Sequence, residues 1–339
     1  MQVAFRADAS AAIGAGHVMR CLTLADGLRQ KGAVCTFVSR DMPPALAALV
    51  AEKGHEIRPI DDERESLVAA AEIRPDWLVV DHYGLDADFE REMRTAVRKI
   101  MVIDDVADRP HSCDVLLDQN LGRKAKDYKQ LVSADCVLLI GPHYALLRPD
   151  FAQFREASLV RRRREPVRHV LISMGGFDND NVTGAVLKAL KACELPTGSS
   201  LSIVMGQDAP WIADVNVTAS SLPWPARVLV GVRDMAQLMM QSDLAIGAAG
   251  SSTWERCCLG LPTVMIVLAE NQKQIASSVS ELCGLESLMT DFSETALGER
   301  IRHFLVQENY NRAVAAVSKL CDGAGVTSVI EIMNTEAFS

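Results

Sequence analysis

The sequence lacks the long apolar run, the basic surface and the metal-binding spacing that mark three large classes of protein. No apolar stretch approaches the roughly 18 residues of a membrane span. Lys and Arg number 35 against 44 Asp and Glu, and this net charge of −9 argues against a broad nucleic-acid-binding surface. Neither His-Glu-x-x-His nor Cys-x-x-Cys occurs. We therefore predict no membrane span, no nucleic-acid partner and no required metal.

The cysteines show no disulfide framework. There are nine, an odd number, dispersed through mostly apolar surroundings. This usage indicates buried free thiols in a reducing compartment. Residues 2–6 already read as a strand, with no secretory signal before them. We expect a cytoplasmic protein that uses no cofactor, and the sequence leaves its oligomeric state open.

Short apolar runs alternate with helical patterns along most of the 339 residues. Several runs in the first half end in Asp, as in Trp77–Asp81 and Val115–Asp118. Continuous apolar runs are typical of buried parallel strands, and ligands bind at the carboxyl ends of such strands. The alternation predicts two doubly wound α/β domains with a cleft between them.

The predicted domain boundary lies at a break in this alternation. Residues 1–150 form the first domain and residues 167–339 form the second, which includes a wholly helical tail. Residues 151–166 contain the basic run 161–164 and are interpreted as a solvated linker. A polyanion site is the alternative for these arginines. Whether the tail crosses back to brace the first domain is left open.

Gly14 and Gly16 precede His17 at the start of the first predicted helix. Glycines let the backbone turn tightly and approach a ligand. A helix N-terminus attracts anions and favours a neutral histidine, which is the form that acts as a base. No third glycine follows, so the pattern fails as a dinucleotide fingerprint. His17 is a candidate general base, and a histidine that merely caps or packs is the alternative.

Two glycine-containing segments follow strands of the second half. Gly175 and Gly176 suit a backbone nest for phosphate, although a plain turn explains them equally well. Residues 250–253, which are Gly-Ser-Ser-Thr, join a strand to a helix and suit a phosphate site.

Glu255 stands one turn into the helix that follows this second segment. A carboxylate there can accept hydrogen bonds from two ribose hydroxyls. A capping box with Ser251 or Ser252 is the alternative. Asn271 and Gln272 follow the next strand, at the sheet edge where a sugar nucleotide would lie.

Polar residues also follow strands of the first half. They occur in the segments 81–84, 104–105 and 118–120. Such residues would line the face of the predicted cleft opposite the phosphate site. Each of them, taken alone, is as well explained by a structural role.

Together these segments resemble the UDP-2,4-diacetamido-2,4,6-trideoxy-β-L-altropyranose hydrolases of pseudaminic acid biosynthesis. The resemblance is carried by residues 5–10, 13–25, 81–84, 141–148 and 173–176. Residues 250–255 and the Leu-Pro pair at 261–262 are also similar to the N-acetylglucosaminyltransferase of peptidoglycan synthesis.

The resemblance implies a glycosyltransferase-B-like fold and a metal-independent hydrolysis. Water would attack the anomeric carbon with inversion, UDP would leave, and His17 would be the base. The product would lead to a nonulosonic acid for surface glycans or flagellin. The expected substrate-binding residues are Arg6, Asp8, Gly14, Gly16, Tyr83, Gly175, Gly176, Gly250, Ser251, Ser252, Thr253, Glu255, Asn271 and Gln272.

Two other functions are compatible with the same fold. A glycosyltransferase would use the same UDP site but would need an acceptor. A non-catalytic subunit that binds UDP-sugars would keep residues 250–255 and have no need of His17. The Gly-x-Gly-His motif at residues 14–17 favours the hydrolase.

Overall fold

The computed structural model describes residues 1–10, 14–163, 166–284 and 286–337. Ile13, which belongs to the opening glycine motif, lies outside these residues. The chain divides into two compact units. The first comprises Met1–Leu147 and the segment that begins at Ala324, and the second comprises Arg148–Gly323.

The first unit is built on a seven-stranded sheet whose strands are all paired in parallel. Its elements are β1 (Gln2–Ala7), α1 (Gly16–Gln30), β2 (Val34–Ser39), α2 (Pro44–Glu52), β3 (Glu56–Pro59), α3 (Glu65–Ile73), β4 (Trp77–Asp81), α4 (Ala87–Met93), β5 (Lys99–Ile103), β6 (Val115–Asp118) and β7 (Val137–Ile140). The strand order is β3-β2-β1-β4-β5-β6-β7. The order therefore reverses between β1 and β4, which is where open α/β sheets bind ligands.

The second unit repeats the design with six parallel strands in the order β10-β9-β8-β11-β12-β13. Its elements are α5 (Pro149–Arg162), β8 (His169–Ser173), α6 (Val182–Leu190), β9 (Ser200–Met205), α7 (Ile212–Ser220), β10 (Ala226–Val230), α8 (Met235–Gln241), β11 (Leu244–Ala248), α9 (Ser252–Cys258), β12 (Thr263–Val267), α10 (Lys273–Leu282), β13 (Leu288–Met289), α11 (Glu294–Leu305) and α12 (Gln307–Val317). Here the order reverses between β8 and β11.

The first sheet is covered on both faces, because alternate residues of a strand point to opposite sides. Val3 and Phe5 join a core cluster that includes residues of α1. Ala4, between them, joins a separate cluster with Met93 of α4. The prediction of two doubly wound, parallel α/β domains is thus confirmed. The cysteines are all free thiols, and seven of them are buried.

The sequence analysis missed strand β3, whose residues are Glu-Ile-Arg-Pro. It lies at the edge of the sheet and pairs only with β2. An edge strand is exposed and can carry charged residues, and it tolerates a proline. Such a strand therefore shows no apolar run in the sequence. Within the described residues, no helix combines the length and the hydropathy that a membrane crossing requires.

The segment predicted as a linker is instead mostly helix α5, and Arg162 of its basic run has a structural role. Arg164 lies outside the described residues. Arg162 is fully buried. Its guanidinium donates to the carbonyl oxygens of Met239, over 2.8 Å, and of Leu259, over 2.9 Å, and also to that of Ser242. These carbonyls lie at the C-terminal ends of helices α8 and α9, where backbone oxygens lack the usual N–H partner four residues further on. Arg162 therefore caps helices of the second unit.

We expect Arg162→Met to lower the free energy of unfolding by about 2 kcal/mol, because it removes three hydrogen bonds from a charged donor to buried carbonyl oxygens. Arg163→Met is the matched control, since that neighbouring side chain is exposed. Urea titrations followed by circular dichroism would measure both variants. Equal midpoints for the two would show that Arg162 has no capping role.

The end of the chain returns to the first unit. Helix α13 (Gly325–Ala337) packs on α1. Gly27 permits this approach, because a Cβ there would lie 2.6 Å from the Val326 side chain. The sequence analysis had assigned this tail to the second domain. The periodicity of a helix does not reveal which partner it packs against.

Candidate active site

His17 lies in the first turn of α1, directly after β1 and its connecting loop. Gly14 adopts a φ of +78°, which favours glycine, and it pairs with Ser10 across the loop. Gly16 is the first residue of the helix, and the residue at the N-cap position, Ala15, has no side chain that could cap this end. The His17 side chain is only 7% exposed. The predicted base therefore lies at the N-terminus of a helix, at the point where the strand order of the sheet reverses.

The buried partner of His17 is Asp81, the last residue of β4. Its Oδ1 lies 2.5 Å from His17 Nδ1. Burial by itself would raise the pKa of Asp81, but the charges and hydrogen bonds of Arg20 and His17 hold this pKa well below its usual range. Asp81 is thus a carboxylate, which can only accept a hydrogen bond, so a neutral His17 carries its proton on Nδ1. His17 Nε2 is left with a lone pair.

Arg20 fixes the orientation of Asp81. Its Nε and Nη2 donate to the two carboxylate oxygens over 2.5 and 2.6 Å. Its Nη1 donates to Asp105 Oδ2 over 3.1 Å. His17 and Arg20 can reach the same carboxylate because residues three apart share one face of a helix. Sequence analysis placed Asp81 among polar strand ends but identified neither its contact with His17 nor the role of Arg20.

Tyr83 lies on the other side of the histidine. The two rings are perpendicular, with their centroids 4.7 Å apart. Tyr83 is 37% exposed. The ring thus limits the positions that His17 can adopt while remaining accessible.

Arg6 and Asp8 contribute to a separate pocket, which we call the β1 pocket. Arg6 Nε and Nη2 donate to the two oxygens of Glu63 over 2.8 and 2.7 Å, and Nη2 also donates to Asp8 over 2.8 Å. The volume of the pocket is about 450 Å³. Its lining residues are Arg6, Asp8, Arg40, Asp41, Glu63 and His82. The sequence analysis included His82 only among the polar residues of the segment 81–84, and it did not identify Arg40, Asp41 or Glu63.

In the second unit, Gly175 and Gly176 form an exposed turn after β8. Gly175 has a φ of +96°. The next helix, α6, is capped by Asp178, which accepts from the N–H groups of Val182 and Thr183 over 2.8 and 2.9 Å. The chain itself thus uses these helix donors, and the exposed surface here is the glycine backbone.

Residues 250–253 follow β11, next to β8 in the sheet. Ser251 is exposed and its side chain makes no capping hydrogen bond. The hydroxyls of Ser252 and Thr253 each accept from Arg256 over 3.1 Å. Thr253 is buried. Because an arginine only donates, each of these two hydroxyls keeps its own proton for another partner.

Glu255 is half-buried, and its carboxylate makes no hydrogen bond or ion pair with the described residues. This differs from the capping-box alternative, in which it would bond the backbone at the start of α9. Burial raises the pKa of Glu255 to about 6, and the charges of Arg148 and Arg256 oppose this rise. Its oxygens are unused by the fold.

Asn271 and Gln272 lie in a short 3₁₀-helix after β12. Asn271 is exposed. Gln272 Oε1 accepts from the N–H of Leu268 over 3.0 Å. Its amide nitrogen reaches Gly250, where an added Cβ would lie 3.8 Å away. The structure thus brings Gly250 and Gln272 together at one edge of the second sheet. Among the described residues, no three His, Cys, Asp or Glu side chains are grouped to hold a metal ion.

Comparisons with known proteins give three relatives, and no family model matches the chain. The UDP-2,4-diacetamido-2,4,6-trideoxy-β-L-altropyranose hydrolase of Campylobacter jejuni is 31% identical over 281 residues, or 82% of this chain and 95% of that protein. The spore coat polysaccharide biosynthesis protein SpsG of Bacillus subtilis is 25% identical, with 98% of each chain covered. An uncharacterized protein of Methanocaldococcus jannaschii is 26% identical over 81% of this chain. The match covers 57% of the length of that protein.

Solved structures show the same fold at low identity. The MurG protein of Acinetobacter baumannii has a TM-score of 0.74 and 13% identity, covering 98% of this chain and 99% of its own. The Anabaena protein HepE, solved in complex with UDP and glucose, has a TM-score of 0.60 and 14% identity, covering 99% and 100%. The expected glycosyltransferase-B-like fold is thereby confirmed.

Proposed function

Because the chain belongs to the family of UDP-2,4-diacetamido-2,4,6-trideoxy-β-L-altropyranose hydrolases, we propose that it hydrolyses this UDP-sugar or a close relative of it. The products would be UDP and the free sugar. The proposal places the enzyme in the synthesis of a nonulosonic acid such as pseudaminic acid. It includes inversion at the anomeric carbon and needs no metal.

The observation that carries the proposal is the buried contact between His17 and Asp81. Asp81 holds a proton on His17 Nδ1, so Nε2 can accept one from water. The oxygen of that water would form a bond to the anomeric carbon while the bond from this carbon to the UDP oxygen breaks. The bonding electrons leave with UDP, and the proton passes to Nε2. A base on the face opposite the leaving group gives inversion in one step.

The second unit supplies the groups suited to UDP. Donors for the diphosphate would be backbone N–H groups near Gly250 and the hydroxyls of Ser251 and Ser252. Arg256 supports this role, because it occupies acceptor positions of Ser252 and leaves the hydroxyl proton free. The unused carboxylate of Glu255 would accept from the ribose hydroxyls. The UDP site would also include Gly175, Gly176 and the side-chain amides of Asn271 and Gln272.

The test is incubation of the protein with UDP-2,4-diacetamido-2,4,6-trideoxy-β-L-altrose in ¹⁸O-labelled water, without metal or acceptor. Early proton NMR spectra are expected to contain the free sugar as the inverted anomer. The released UDP is expected to carry no ¹⁸O, because the bond that breaks is carbon–oxygen. Labelled UDP would indicate attack at phosphorus. An untouched substrate that still displaces UDP would favour a glycosyltransferase or a binding subunit.

We expect Glu255→Gln to weaken UDP binding roughly tenfold, because it removes a charge-assisted hydrogen bond to the ribose. The turnover rate at saturating substrate should change little, since the ribose does not react. Titration calorimetry with UDP would measure the affinity. Glu281→Gln, on the exposed face of α10, is the control. An affinity equal to that of the control would remove Glu255 from the site.

A further inference from the structure

The floor of the β1 pocket, which Arg6, Asp8 and Glu63 form, uses most of its hydrogen-bonding groups within the fold. Asp8 Oδ1 accepts from Ser39 Oγ over 3.0 Å and from the N–H of Arg40 over 2.8 Å. Asp8 Oδ2 accepts from Arg6 and lies 3.4 Å from His82 Nε2. Both oxygens of Glu63 accept from Arg6. Arg6 Nη1 is buried and has no hydrogen-bond partner among the described residues, although it lies 2.7 Å from Asp8 Oδ1. Apart from this nitrogen, the floor is a fixed scaffold.

The rim of the pocket, in contrast, carries two unused groups. Arg40 and Asp41 are exposed, and neither side chain makes a hydrogen bond or ion pair with any residue that the structure describes. Their backbone N–H groups are held by Asp8 Oδ1, over 2.8 and 3.2 Å. The scaffold thus presents one free donor beside one free acceptor.

The charge of the pocket indicates what it can bind. Two arginines and three carboxylates line it. His82 Nδ1 accepts from the N–H of Gly84 over 3.0 Å, so a neutral ring has its proton on Nε2, facing Asp8. A net charge of −1 disfavours an anionic ligand. A neutral amide matches the rim, because it has one N–H to donate and one carbonyl oxygen to accept.

The pocket adjoins the proposed base along the chain. Asp81, His82 and Tyr83 are consecutive: the first bonds His17, the second lines the pocket, and the third packs on the His17 ring. We propose that the β1 pocket binds an acylamino substituent of the sugar. Arg40 donates to its carbonyl oxygen, and Asp41 accepts from its N–H. This inference rests on the proposed function for the identity of the sugar, but it does not require that the protein hydrolyse the UDP-sugar.

The test pairs side-chain removal with substituent removal. The variants are Arg40→Met and Asp41→Ala, with Arg64→Met and Asp61→Ala as controls at exposed positions outside the pocket. The substrates are the diacetamido UDP-sugar and its two analogues in which one acetamido group is replaced by hydroxyl. We expect each pocket variant to raise KM for the diacetamido substrate about tenfold, with kcat nearly unchanged.

The analogue that lacks the recognised acetamido group should show the same KM in wild type and pocket variants, within about twofold. The other analogue should behave like the full substrate. A pocket variant that matches its control on every substrate would overturn the inference. So would an equal rise in KM for all three, because that pattern indicates a general disturbance of the site.

A binding measurement separates this inference from the proposed reaction. Saturation-transfer NMR with free 2,4-diacetamido-2,4,6-trideoxy-L-altrose needs no turnover. Binding that is weakened by Arg40→Met but not by Arg64→Met would support the pocket even if the wild type releases no UDP. Turnover with sugar binding that is the same in both variants would leave the hydrolase standing and refute the pocket.

Discussion

Replacement of His17 by glutamine is expected to lower kcat by a factor of about 10²–10⁴, the usual contribution of a positioned general base. Glutamine can still donate from its amide to Asp81, so the buried carboxylate keeps a partner and the fold is preserved. The affinity for UDP should not change, because the groups assigned to UDP belong to the second unit. Single-turnover rates from proton NMR, together with calorimetric UDP titrations, would measure both quantities.

The matched control for this variant is His143→Gln. His143 is an exposed histidine of the same unit, and its ring contacts that of Tyr144 at an interplanar angle of 43°. It should retain wild-type turnover. Full activity in His17→Gln would contradict the proposed base. A loss of both turnover and UDP binding, with an altered circular dichroism spectrum, would point to a structural role for His17 instead.

The position of His17 could be predicted from the sequence because its signal is local. The motif, two glycines and a histidine at the start of a helix, can be recognised within a few consecutive residues. Asp81 lies 64 residues further on, and its contact with His17 depends on β4 pairing with β1 rather than with β3. Strand order is a property of the whole sheet. The sequence therefore predicted the candidate base and left its partner among several polar strand ends.

For the arginine-rich segment, the prediction itself was wrong. Four consecutive arginines read as a solvated surface, since a buried guanidinium is costly without partners. Arg162 nevertheless finds three carbonyl acceptors at the ends of α8 and α9. Those acceptors are backbone carbonyl groups, which every residue has, so the sequence does not show where they are available. Composition alone could not distinguish a helix that caps other helices from a linker.

For the second unit, the sequence predicted which loops come together but not which side chains face outward. Gly250 and Gln272 lie together as expected of neighbouring strand ends. Thr253, included among the expected ligand residues, is buried against Arg256. A helix N-terminus alternates exposed and buried positions within one turn, and the sequence does not fix which hydroxyl faces outward.

Replacement of Asp81 by asparagine is expected to reduce kcat by about 10²–10⁴ without changing a single atom that contacts the substrate. The asparagine amide can donate to His17 Nδ1, which stabilises the tautomer with its proton on Nε2. A histidine in that tautomer has no lone pair facing the water. The same substitution in the Ser-His-Asp proteases has an effect of this size for this reason. Asp81 is thus a positioning residue.

Two measurements distinguish this mechanism from a general loss of structure. Long-range ¹H–¹⁵N NMR of the His17 ring reports its tautomer directly, and the proton is expected to move from Nδ1 to Nε2 in the Asp81→Asn variant. Asp105→Asn also removes a carboxylate from Arg20 but leaves the contact between Asp81 and His17 intact, so kcat should fall less than tenfold. If both variants lose equal activity while the tautomer of His17 is unchanged, then the network of Arg20 matters only for stability. A change of tautomer that accompanies the loss of turnover would tie the chemistry to the proton that Asp81 holds on His17 Nδ1.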